Sequence, residues 1–253
     1  MQSAVVESTP VESTEPPEPE KSALTVRRWL TYQEGREVAD DDFIFDAPGV
    51  EAIASLCAGV ILPTGDEQRA ATLLASGATC VFVGEAALND STVIDRLVAT
   101  HGAGRIGIYA PVRRQSVSWS FETVSNADFK TITPSHCEPA WEVLRADGTG
   151  TGTLAHWWLA AMREKGASCF LVQVDIADDT DLNLCAGLVE ELGGALWIGP
   201  LAAAMPNLAA NLAANLAANL ADWVDFGQCQ QIVLSAADFA QCDCLSAEAG
   251  GSA

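Results

Sequence analysis

Between residues 60 and 84 the chain reads strand, tight loop, glycine-ended helix, strand. Val60-Ile61-Leu62 is an unbroken apolar run that gives way to Pro63-Thr64-Gly65-Asp66. Ala70 to Ala78 then carries helix-forming residues and stops at Gly77, and Cys80-Val81-Phe82-Val83-Gly84 is apolar throughout. A strand that is apolar on both faces is buried on both faces, the condition of a parallel sheet covered by helices. Ser168 to Ile176 repeats the pattern, with Asp175 at its trailing end. Such βα units restrict the chain to parallel-sheet folds, in which groups that act on ligands gather where the strands end.

Further strand signals fall near 24–30, 43–46, 59–62, 80–84, 105–110, 169–175, 194–199 and 231–234. Helical signals lie near 50–58, 66–76, 90–100, 153–165, 181–192 and 203–222. Eight strands alternating with helices predict a closed (β/α)8 TIM barrel, and 253 residues suit one such barrel. The first two strand candidates leave little room for a helix between them, so an open doubly wound sheet of six strands is the competing arrangement. The barrel is expected over 23–240. It is preceded by an acidic, proline-rich tail at 1–22 and followed by a flexible tail at 241–253. Residues 111–152 break the rhythm after strand five. A connection this long is often functional, either as a lid over the mouth of the sheet or as a contact arm for a protein partner. Within 203–222 the unit Asn-Leu-Ala-Ala repeats in tandem and sets Leu208, Leu212, Leu216 and Leu220 on one drifting stripe, as in a repeat-expanded surface helix.

The net charge is −21, from 34 acidic and 13 basic residues. That surface repels phosphate backbones and anionic lipid, which argues against nucleic acid and membrane as partners. No apolar run has the length and character of a membrane span. Four of the eight cysteines (Cys57, Cys80, Cys169 and Cys185) sit in apolar helix or strand contexts, and no secretory leader is evident. Both observations point to the cytoplasm. The pair Cys242 and Cys244 lacks a second pair to complete a metal set, and no dinucleotide or kinase-type phosphate motif is present. No cofactor is therefore expected.

Val83-Gly84-Glu85-Ala86-Ala87-Leu88-Asn89-Asp90, Gly166-Ala167 with Val174-Asp175-Ile176-Ala177-Asp178-Asp179-Thr180, and Val117-Ser118-Trp119 carry a resemblance. Over about two thirds of its length the chain resembles the histidine-biosynthesis barrels, the isomerase of phosphoribosylformimino-aminoimidazole carboxamide ribotide and the related cyclase. The resemblance implies a divergent barrel with two carboxylates at strand ends that shuttle protons, and backbone phosphate sites after strands three, seven and eight. The chain departs from that pattern. Ala110 stands near the place of the acid on strand five, Trp29 and Leu30 occupy the end of strand one, Asp66 follows Thr64-Gly65, and Pro200 follows Gly199.

The expected function is that of an isomerase or lyase-like enzyme acting on a small phosphorylated or acidic metabolite. Asp46 and Asp175 are the acid/base candidates, since each carboxylate trails an apolar strand. Gly84, Arg113, Arg114, Gly199 and Ser235 are the candidates for holding the anion: the arginines because cations are scarce in this chain, the others because they follow strands. Asp178, Asp179 and Asp181 suit the cap of the following helix. His136 and Cys137 beside Glu138 offer a nucleophile or metal-ligand set, although adjacent side chains point apart. The alternative function is a non-catalytic barrel that acts as a structural or assembly partner through 111–152.

Overall fold

Eight strands of the chain run parallel and close on themselves. In the computed structural model, which describes residues 24–33, 35, 37–115, 123–125, 130–132, 138–201 and 216–240, the strands are β1 (Thr25–Thr31), β2 (Phe43–Phe45), β3 (Gly59–Leu62), β4 (Val81–Val83), β5 (Ile106–Arg114), β6 (Thr123–Ser125), β7 (Lys130–Ile132), β8 (Trp141–Leu144), β9 (Gly150–Leu154), β10 (Cys169–Val174), β11 (Leu196–Pro200) and β12 (Gln231–Ser235). The ring runs β10, β11, β12, β1, β2, β3, β4, β5 and is closed by the parallel pairing of β10 with β5. This is the (β/α)8 barrel, and the open six-strand arrangement is set aside.

The helices α1 (Glu67–Ala75), α2 (Glu85–Asn89), α3 (Thr92–His101), α4 (Ala155–Glu164), α5 (Asp179–Leu192) and α6 (Leu216–Asp225) alternate with the strands. The first of them stops at a glycine as the sequence predicts, and α4 stops in the same way. Gly77 and Gly166 take positive φ just past α1 and α4, and Ala78 and Ala167 donate back to Leu73 and Met162. These bonds satisfy carbonyls that the helix end would otherwise leave open. Arg105 adds a cation at the same end of α1, donating to the carbonyls of Leu74 and Ala78 at 2.7 Å each. The stretch expected as a short helix over 50–58 is instead two 3-10 turns, Val50–Ala52 and Ala54–Leu56.

The core has two parts. One lies between the strands and the helices and takes the outward side chains, among them Ile44, Val60, Val81, Ile108, Ala110 and Val172. The other fills the barrel with Phe43, Ile61, Cys80, Phe82, Tyr109, Leu171, Trp197 and Val233. Phe82 fits because its neighbours are bare: a β-carbon on Gly59 or Gly107 would lie 2.8 or 2.7 Å from its ring. Phe43 meets Phe82 and Trp197 edge-on, at 5.2 and 5.4 Å between centroids, and Arg27 closes the bottom over Trp197 at 4.6 Å.

Strand five departs from expectation. It continues past Ala110 to Arg114, because β8 pairs antiparallel with residues 112–114 and gives the extension a hydrogen-bonding partner. Part of the expected insertion is thus a hairpin, β8–β9, attached to the barrel. The N-terminal tail, residues 117–121, His136, Cys137, Asn207 to Asn215 and the Cys242 to Cys244 tail lie outside the described residues.

Candidate functional site

Strand alternation decides which side chains face the barrel's interior. Leu171, Gln173 and Asp175 share one face of β10 and its exit. Tyr109, Pro111 and Arg113 share the inner face of β5, and Val233 and Ser235 that of β12. Followed around the ring, the strand registers set the inward residues in layers supplied by alternate strands. Gln173, Phe45, Gly84 and Ser235 form the last filled layer below the mouth, and Tyr109, Ile61, Trp29 and Gly199 the layer beneath. Contacts agree with this stacking. Phe45 meets Trp29 and Tyr109 edge-on at 5.2 and 5.9 Å, and the Tyr109 hydroxyl donates to Gln173 Oε1 at 2.7 Å. Burial pushes the Tyr109 phenol well above its ordinary pKa, so it stays a donor.

Asp175 stands at the exit of β10, half-buried. Its pKa is raised above the usual carboxylate value, first by burial and then by the negative charge of Asp181, against the pull of Arg113 and Arg114. Arg113 is exposed and makes no hydrogen bond or ion pair among the described residues. Continuing the β5–β10 register by one residue sets Arg113 opposite Asp175. Arg114 points the other way. It clasps Asp178 with bonds of 2.6 and 2.9 Å and lies 3.3 Å from Asp181. That pairing holds Asp178 down at about 2. Asp178 also caps α5, accepting from Thr180 N–H, while Asp181 accepts from the backbone of Ala177 and Asp178. The capping role foreseen for Asp178 and Asp181 is therefore present.

Asp46 ends β2, diametrically opposite β10 in the ring and at the same end of the barrel. Its carboxylate is gripped from α1 by Arg69, at 2.6 and 3.0 Å, and Arg69 also binds Glu51. Ser235 is used within its own turn, donating to Asp238 at 2.6 Å and accepting from Asp238 N–H. Gly84 and Gly199 have no room for a side chain: a β-carbon would lie 2.6 Å from the Pro63 carbonyl oxygen in one case and 2.4 Å from that of Val233 in the other. Asp66 caps α1 by accepting from Arg69 N–H at 2.9 Å. Ala110 faces the helices in mid-strand, so its lack of a functional group falls outside the mouth.

The structure thus brings Asp175, Arg113, Gly84, Gly199 and Ser235 to one end of the barrel interior and turns Arg114 toward α5. Sequence reasoning passed over Gln173 and Tyr109. The signal was a lone glutamine at an inward position of the apolar run Phe170-Leu171-Val172-Gln173-Val174. A separate cleft of about 180 Å3 lies between α5 and α6, but its ionisable lining is Asp178, Asp179 and Asp222, a field that repels anions. Among the described residues no group of His, Cys, Asp and Glu is arranged to hold a metal, and no helix is long and apolar enough to cross a membrane. No protein-family profile matches the chain, and no characterised protein matches it significantly.

Proposed function

We propose that the chain is an isomerase or lyase-like enzyme acting on a small phosphorylated or acidic metabolite at the barrel mouth. The observation that carries the proposal is Asp175, a half-buried carboxyl whose pKa is raised and which stands opposite Arg113 in the continued register, a guanidinium without an ion pair among the described residues. A carboxyl in that state can give and take a proton nearer neutral pH than a solvated one, and an adjacent cation can hold the anionic group of its substrate. In this reading Asp175 moves the proton, Arg113 takes the charge, Gly84 and Ser235 belong to the floor beneath the ligand, and Gly199 lies one layer deeper. Arg114 stays on Asp178 and contributes field alone. Asp46 is the second carboxylate, and its bond to Arg69 has to open before its oxygens can meet a ligand. Kinship with the histidine-biosynthesis isomerases is part of the proposal. It is supported by the barrel and by the segments at 83–90 and 166–180, while the absence of an acid on strand five sets the chemistry apart.

The test is Asp175→Asn in a turnover screen of phosphosugars and small acids. The variant is expected to lose all activity while keeping its circular dichroism spectrum. Full activity in the folded variant refutes the role.

A second reading, an assembly partner without catalysis, draws on Trp157. It is 68% exposed and stands next to His156, which with Pro139, Ala140, Trp141, Leu184 and Leu188 lines an apolar groove between the hairpin and α5. Self-association in sedimentation that Trp157→Asp removes would favour this reading. A monomer at all concentrations counts against it.

A further inference from the structure

We infer that the Gln173 side-chain amide is a ligand-reading donor at the floor of the mouth, and that it takes the carbonyl oxygen of an anionic carbonyl metabolite whose charged group rests on Arg113. This rests on the mouth being a ligand site, as proposed above, and adds to it the class of ligand and the residue that selects it.

Gln173 is 1% exposed, and its Oε1 is fixed by the Tyr109 hydroxyl. Its Nε2 is buried and has no acceptor among the described residues. Three other buried donors lack acceptors among the described residues, the indole N–H groups of Trp29, Trp141 and Trp158. Trp141 and Trp158 pack outside the barrel, whereas Trp29 shares the interior with Gln173. A buried donor left unmade costs about 1–3 kcal/mol, and native chains rarely leave a primary amide in that state. No side chain of the layer around Gln173 accepts from it. Phe45 and Gly84 carry no acceptor in their side chains, and the Ser235 hydroxyl is engaged by Asp238 at both of its bonds. Asp175, two residues on along the same face, makes no bond to it.

The ligand class follows from depth. An anionic oxygen placed at Gln173 would be buried against Phe45, Tyr109 and Trp29 with no cation beside it, which is costly. A neutral carbonyl oxygen satisfies the amide without that cost. The charge belongs one pleat repeat higher, about 7 Å along the strands, at Arg113. Pro111, two residues before Arg113, is the register partner of Gln173. Asp175 lies on the same rise, between the carbonyl and the anion. A three-carbon keto phosphate suits that separation far better than a 2-keto acid, whose carboxylate adjoins its carbonyl, and the carbon between its carbonyl and its phosphate ester falls beside the Asp175 carboxyl. Tyr109 is a positioning residue in this arrangement: by holding Oε1 it fixes how the amide is turned and so keeps the N–H pair free for a ligand.

Isothermal titration calorimetry on the full chain tests the inference, with dihydroxyacetone phosphate, glycerol 3-phosphate (same phosphate, alcohol in place of the carbonyl) and pyruvate (carboxylate in place of phosphate). Wild type is expected to bind at least one keto compound and to prefer dihydroxyacetone phosphate to glycerol 3-phosphate. Gln173→Leu should bind at least tenfold more weakly and lose that preference, and because it also takes the acceptor from the buried Tyr109 hydroxyl, the free protein should melt somewhat lower. Tyr109→Phe should weaken binding several-fold. If Gln173→Leu binds like wild type with the same preference, the inference falls and the mouth remains a ligand site. If wild type binds none of the three at 10 mM, the inference and the proposed substrate class fall together. Should Gln173→Leu fail to fold, the side-chain amide signal of Gln173 in nitrogen-15 spectra decides. Movement on titration supports the contact, and a stationary signal under saturating ligand overturns it.

Discussion

Gly199→Ala should be among the most damaging single-methyl additions in this barrel. The new β-carbon would stand 2.4 Å from the carbonyl oxygen of Val233 on the neighbouring strand. The closest comfortable carbon–oxygen approach is roughly 3.3 Å, so the β11–β12 seam has to open by nearly 1 Å. The obstacle is backbone, and no rotamer change can relieve it. In a closed ring the displacement passes on to β10 and β1, because each strand of the seam is paired on its other side as well. Overpacking a tight interior costs about 1–3 kcal/mol, and a clash with backbone in a ring belongs at the top of that range, near 3 kcal/mol. At roughly 2–4 °C per kcal/mol for a chain of this size, the melting temperature should fall by about 6–12 °C. Thermal unfolding followed by circular dichroism reads this directly, and urea titration should show a lower midpoint at constant slope. Gly187→Ala is the control. Gly187 is exposed within α5, and a β-carbon there meets nothing within 4 Å. The substitution should stabilise by about 0.5–1 kcal/mol through helix propensity and unfolded-state entropy. A Gly199→Ala melting point within about 2 °C of wild type would refute the close approach, and with it the layer assignment that puts Gly199 below the mouth.

Asp175 gives a pH prediction. Its pKa is raised in the folded chain, so the folded state holds this proton more tightly than the unfolded state. The stability this contributes is present below the ordinary carboxylate value and lost as pH rises through the raised one. Asp175→Asn, which cannot ionise, should therefore melt above wild type at pH 7, with the gap closing as the pH falls toward 4. A variant less stable than wild type at pH 7 would show that the carboxylate is structural. Arg28→Met should cost about 3 kcal/mol in urea unfolding. It strands the carboxylate of Asp42, which is fully buried and paired to Arg28 through both oxygens. Arg28→Met, Asp42→Asn together should recover part of that loss, and a single variant as stable as wild type refutes the pairing.

The barrel was legible in the sequence because its signals are local. Val60 to Leu62, Cys80 to Gly84 and Ser168 to Ile176 announce strands by being apolar on both faces, and Gly77 announces a helix end because glycine alone turns there without strain. The extent of strand five was not legible. Residues 111–114 (Pro-Val-Arg-Arg) look like a loop, and what makes them strand is pairing with Trp141 to Val143, nearly thirty residues on, a non-local bond with no local trace. Ala110 consequently took the place of a missing acid when it sits in mid-strand facing the helices. The site was legible in part. Asp175 stands out because a carboxylate follows Val174, whereas Arg113 and Arg114 are indistinguishable in sequence. Alternation alone sends one to the mouth and the other to the cap of α5. Gln173 was hidden for the opposite reason: one polar residue in an apolar strand reads as tolerance until its inward register is known.

The scarcity of cations sharpens what Arg113 means. A chain with 34 acidic and 13 basic residues uses most of its described cations to hold itself together. Arg69 joins Asp46 to Glu51, Arg96 joins Glu67 to Asp90, Arg114 joins the strand-five extension to the α5 cap, and Lys165 meets Asp95. Arg105 and Arg163 bind carbonyls, and Arg27 lies on Trp197. In such a field an exposed guanidinium has carboxylates on every side to choose from, and long-range attraction favours its pairing. Among the described residues Arg113 makes no ion pair, although Asp175 is opposite it in register. Arg113 also acts on Asp175, since its charge pulls against the burial that raises that carboxyl's pKa. Arg113→Met should therefore do two things at once: weaken the binding of an anion at the mouth and raise the Asp175 pKa further, and a variant that leaves both unchanged separates the two residues.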